Sequence, residues 1–116
     1  MKQMEHLMLT AFTNAQQTQI EALRADLTRR IQRTVTVEYG EDDHGGLWAA
    51  LNVETLPSGT WGRPGTLVSI LAGAGVNGEA AVVAADFSTV TSGVSMLEAT
   101  KAATFAGVRA YRALTH

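Results

Sequence analysis

The chain has 116 residues, a formal net charge of −2, 46% hydrophobic and 17% charged residues, and no cysteine. That length suits one domain with one core, and the balance excludes a disordered chain, which carries more charge than burial can offset. The missing thiols exclude disulfides, thiolate metal sites and a cysteine nucleophile, while the slight negative charge argues against broad nucleic-acid binding, which needs an excess of Lys and Arg.

The first nine residues hold Glu5 and His6 inside their apolar part, where a secretory signal needs an unbroken run. No apolar stretch approaches the ~20 residues of a membrane span. A cytoplasmic single domain over residues 1–116 is the expectation.

Ile20, Leu23, Leu27 and Ile31 recur three and four apart, with Glu21, Arg24, Asp26 and Arg29 on the other face, so the first element is an amphipathic helix. Thr13 or Asn14 supplies its cap, with Gln16 or Gln17 three residues on. Arg29, Arg30 and Arg33 suit the negative end of the helix dipole. Upstream, Leu9, Phe12 and Gln16 nearly extend the spacing, and residues 4–12 read either as helix or as strand. Met4, Leu7, Met8, Leu9 and Ala11 favour helix, giving one long helix from about residue 3.

From Thr34 the period becomes two: Val35, Val37 and Tyr39 alternate with Thr34, Thr36 and Glu38, the mark of a half-buried strand. The stretch from Gly40 to Gly46 carries turn residues. A second strand then sets Leu47, Ala49, Leu51 and Val53 against Trp48, Ala50, Asn52 and Glu54. The loop from Thr55 to Gly65 holds three glycines and both prolines of the chain, and its length marks it as a candidate binding loop. Residues 66–72 and 79–87 are strands apolar on both faces, joined by an Asn77-Gly78 hairpin signal. Such strands belong at the centre of a sheet or under cover on both sides. Thr91-Ser92-Gly93-Val94 breaks the pattern, and Ser95 with Glu98 forms a capping box for a closing helix that runs to about Leu114. One face of that helix is large (Leu97, Phe105, Val108, Tyr111). The other is small (Ala99, Ala103, Gly107 or Ala106, Ala110), which allows close helix approach. The expected fold is a two-layer α+β sandwich with an N-terminal helix, a four-stranded antiparallel meander and a C-terminal helix.

Several residue sets invite a chemical reading. Gly73, Gly75 and Gly78 match G-x-G-x-x-G after a strand, but the motif needs a helix opening at its end to receive a pyrophosphate, and residues 79–87 read as strand. Glu41, Asp42, Asp43 and His44 have hard-metal chemistry, yet the other histidines, His6 and His116, lie near the ends; a solvated acidic turn explains them, and no metal or cofactor is assigned. Trp61 and Arg63 in the long loop are types enriched at interfaces, and Trp48, on the more polar face of its strand, needs a cover from a helix or a partner. These three are the candidate binding residues. Arg24, Arg29, Arg30 and Arg33 make a basic stretch shared with Glu21 and Asp26. No histidine sits near a Gly-x-Ser-x-Gly context, so no hydrolytic triad is assigned.

The residues point away from enzymology and toward a homo-oligomeric binding or assembly module, adaptor or structural, whose surplus apolar sheet surface is covered by a second copy. Two alternatives stand beside it. One is a small-molecule or nucleotide binder that uses the Gly73 to Gly78 turn or the Thr55 to Gly65 loop. The other is a single-stranded nucleic-acid binder with the arginines as track and Trp61 as stacking platform.

Overall fold

The computed structural model describes residues 12–41, 46–53, 65–72, 79–84 and 88–115. Within them α1 (Asn14–Ile31) is followed by β1 (Thr36–Glu41), β2 (Leu47–Asn52), β3 (Thr66–Ala72), β4 (Ala80–Ala84), β5 (Thr89–Val94) and α2 (Met96–Leu114). The expected α+β arrangement is present with five strands rather than four.

Thr13 sets the start of α1. Its backbone is extended, its hydroxyl accepts from the Gln16 N–H at 3.1 Å, and the Gln16 side chain accepts from the Thr13 N–H at 2.8 Å. This reciprocal pair satisfies two donors that the first turn leaves open. It also overturns the single long helix running unbroken from about residue 3, because the chain leaves helical geometry at Thr13; residues 4–11 lie outside the described residues. α2 starts on Ser95, whose hydroxyl accepts from the Glu98 N–H at 3.2 Å. The box is incomplete there, since Ser95 Oγ turns its own proton toward Glu98 Oε1 at 3.3 Å.

The five strands pair only with their neighbours in the chain, in the order β1-β2-β3-β4-β5, all antiparallel. β3, apolar on both sides, lies in the middle. The antiparallel register of β3 and β4 sets Ala72 against Ala80 and Val68 against Ala84. The chain therefore returns as a strand where the dinucleotide motif would need a helix.

β5 is the strand that the sequence pattern conceals. Its residues are β-branched in the manner of a strand, with Thr89, Val90, Thr91 and Val94, but its register against β4 shifts twice, between Ala80 and Val82 and between Val82 and Val83. Such bulges destroy the strict alternation by which a strand is recognised. Gly93, at φ +67° and with open space where a Cβ would stand, supplies the left-handed residue that a bulge of this kind takes.

Both helices lie on one face of the sheet, α2 over β3, β4 and β5, and α1 alongside α2 and nearest β1. They run in the same direction: Gln19, Leu23 and Asp26 line one groove with Leu97, Thr100 and Thr104, and further along Arg30 lines another with Thr104, Val108 and Arg112. The core between helices and sheet holds Ile20, Leu23, Leu27 and Ile31 of α1, Leu51, Val68, Ile70 and Val82 of the sheet, and Ala99, Ala103 and Ala106 of α2. A register shift between Leu51 and Asn52 leaves Leu67 as an extra residue in β3, and Leu67 and Val68 both enter this core. The small face of α2 is thus the buried one. At Gly107 an added Cβ would stand 2.9 Å from Leu27 Cδ2, so the absent side chain lets Leu27 seat itself.

Candidate functional site at the β5 edge

Among the described residues the five-stranded sheet has two edges, β1 and β5, and they differ in chemistry. β1 carries Glu38 and Glu41, both exposed. Charges of this kind guard an edge against pairing with another chain. β5, Thr-Val-Thr-Ser-Gly-Val, has no charged residue. Its Val90 is 44% exposed.

Beside this edge runs a cleft of about 390 Å³ between the last turns of α2 and the β4–β5 hairpin. Ala84, Val90, Ala106, Ala110 and Leu114 make its walls, with Arg109 as the only charged lining group among the described residues. The alanines arise because positions 99, 103, 106, 110 and 113 of α2 are all Ala. The first three bury against the sheet and Ala110 packs partly against the same core, while Ala113 is exposed and lines the cleft.

The other face of the sheet, turned away from the helices, presents Trp48, Ala50 and Asn52 of β2, Ser69 and Leu71 of β3, and Ala81 and Val83 of β4. Ala50 and Val83 are buried yet stand apart from the main core. Ser69 is fully buried, and its hydroxyl has no partner among the described residues. Thr66 Oγ1 and Asn52 Oδ1 are joined at 2.8 Å. Because Leu67 turns into the core, this face is less apolar than alternation along residues 66–72 implies.

Of the sequence-based candidates, Trp48 lies on this second face, half-buried, its indole filling the space over Gly40, directly across the β1–β2 ladder. A glycine of the neighbouring strand receives its ring. Trp61 and Arg63, with the rest of residues 54–64, lie outside the described residues, as do residues 73–78 and Asp42 to His44. Glu41 ends β1 and is exposed. Among the described residues no group of three His, Asp or Glu is placed to hold a metal ion, and no helix is long and apolar enough to cross a membrane.

The arginines of α1 are largely committed to neighbours. Arg24 Nε donates to Glu21 at 2.6 Å and Arg24 Nη1 to the Val35 carbonyl at 3.3 Å. Asp26 pairs with Arg29 through one oxygen and with Arg30 through the other, the latter at 3.0 Å. Near the β1 end, the rings of Phe12 and Tyr39 tilt together at 5.7 Å. Burial, and after it the Glu21 carboxylate, holds the Tyr39 phenol above its ordinary ionisation range.

The edge and its cleft were missed by sequence reasoning. The available signals were the absence of charge from residue 88 to residue 94 and the alanine row of α2 continuing to Ala113, near the end of the helix. Comparison with protein-family models, curated proteins and solved structures finds no match to this chain.

Proposed function

We propose that the protein is a homo-oligomeric assembly module, an adaptor or structural subunit, that pairs with a second copy of itself through β5. The observation that carries this reading is the uncharged open edge with Val90 exposed on it, set beside the apolar cleft. A two-fold axis perpendicular to the sheet brings β5 of each copy antiparallel to the other. The two sheets then continue as one, with all four helices on the same side. Ladder hydrogen bonds satisfy the free edge, and the alanine-lined flanks of the two α2 helices meet above it, where small side chains permit close packing. An isologous contact of this kind closes after two copies and leaves no further edge of the same type exposed.

Light scattering coupled to gel filtration tests the reading. The expected species has twice the 12.3 kDa chain mass at tens of micromolar. Val90→Lys places a charge on the edge and is expected to return a folded monomer. A monodisperse monomer of the native chain, or a dimer indifferent to Val90→Lys, defeats it. The nucleotide alternative loses its stated mechanism at the Gly73 to Gly78 turn, because antiparallel β4, not a helix N-terminus, follows that turn.

A further inference from the structure

Because α1 and α2 run in the same direction, both C-terminal halves converge on one end of the helical layer. Residues 26–33 and 104–115 hold five arginines (Arg29, Arg30, Arg33, Arg109, Arg112) and one acid, Asp26, a local charge of 5 − 1 = +4 in a chain whose total is −2. Helix dipoles favour cations at C-terminal ends, and that effect alone accounts for basic residues here. It does not account for Phe105, which is 69% exposed in the middle of them. Phe105, Thr104 and Val108 share a cleft of about 340 Å³ with Arg30, Arg109 and Arg112. Asp26 already occupies Arg30 in part. Arg109 and Arg112 have no ion pair among the described residues.

An exposed ring is a stacking platform for any nucleobase, and guanidinium groups around it meet phosphates. We propose that this pole binds single-stranded nucleic acid, with Phe105 stacked on a base and Arg30, Arg109 and Arg112 on the phosphates beside it. A strand fits better than a single nucleotide. The guanidinium groups come from two helices whose axes, at ordinary packing, lie ~8–10 Å apart, so they address successive phosphates rather than one. The negative total charge does not oppose this, since every acid but Asp26 lies outside these two segments of the sequence and the potential that a ligand meets is local.

The test is an anisotropy titration of fluorescein-labelled oligothymidylate with the native chain across a salt series. Three phosphate contacts give a slope of about −2 in log affinity against log salt, at roughly −0.7 per contact for a single strand. The double variant R109Q/R112Q is expected to flatten it to about −0.7. Phe105→Leu is expected to weaken binding by about fivefold or more at equal salt while leaving the slope unchanged, and Phe105→Tyr to retain affinity. Phe105 is exposed, so neither substitution threatens the fold. Failure to bind at low salt overturns the proposal. So does equal affinity of Phe105→Leu and the native chain, or displacement of the oligomer by thymidine monophosphate or polyglutamate at matched charge. Arg109 also lines the cleft beside β5, so the same titrations in the Val90→Lys background separate loss of strand binding from loss of pairing.

Discussion

The two helices share one face of one sheet and run side by side, yet they are built on opposite plans. α1 buries its large residues, with Ile20 and Leu27 fully enclosed and Leu23 and Ile31 close to it. α2 buries Ala99, Ala103, Ala106 and Gly107, while Leu97 and Phe105 stay 53% and 69% exposed. The difference is one of spacing. Large residues of α1 occupy the room that the small face of α2 leaves, as Leu27 does at Gly107. A helix that donates space rather than volume can carry large side chains such as Leu97 and Phe105 outward, while Met96, Val108 and Tyr111 still pack on the core.

The sharpest way to break this comparison is Leu27→Ala, which leaves a hole against a small-residue face that has nothing to fill it. The expected cost is about 2–5 kcal/mol, read as a shift in urea midpoint at unchanged slope. Next come the two caps. Thr13→Ala and Ser95→Ala should each cost about 1 kcal/mol; Thr13→Ala removes only the hydroxyl acceptor, since the Gln16 side chain still accepts from the backbone N–H of residue 13. Gly107→Ala is smaller in net effect. The helix gains about 1 kcal/mol from the better helix former, while Leu27 has to yield a few tenths of an ångström. In a Leu27→Ala background the obstruction is gone, and the same change should stabilise by about 1 kcal/mol. Chemical denaturation of the four proteins in this cycle measures the coupling. Phe105→Ser should alter monomer stability by no more than about 0.5 kcal/mol, as for other exposed positions.

The smallest effect concerns pH. The folded chain holds the Tyr39 phenol protonated to a higher pH than the unfolded chain does. Its contribution is therefore complete below the ordinary tyrosine pKa of about 10 and is lost as pH rises through the folded value. Denaturation midpoints measured at neutral pH and in the alkaline range should show that loss in the native chain and less of it in Tyr39→Phe.

Where local signals agreed, sequence reasoning reached the structure. The three-and-four spacing from Ile20 to Ile31, the Thr13 cap with Gln16, the alternation in β1 and β2, and the closing helix after Ser95 all appear in place. It went astray where two rules competed. Apolar spacing carried α1 back through Phe12, while the hydroxyl of Thr13 ended it, because a side-chain acceptor for an orphan N–H outweighs one more turn of weak periodicity. β5 escaped notice because its bulges break the period of two and its glycine reads as a stop. The second sheet face looked more apolar than it is, since pattern reading carries no account of the slip that sends Leu67 inward. The charged pole around Phe105 depends on two helices running the same way, and no local pattern reports that.

The seam between Leu27 and Gly107 carries a kinetic consequence. Every strand pairing closes a short stretch of chain, but this contact joins positions eighty residues apart, 107 against 27. Loop-closure entropy rises by about 0.6 kcal/mol per doubling of length, so helix docking is expected to follow zipping of the meander, which by then has shortened the effective loop. Amides of α1 should accordingly exchange with solvent sooner than those of β3, its detachment being a partial opening that leaves the central hairpins intact.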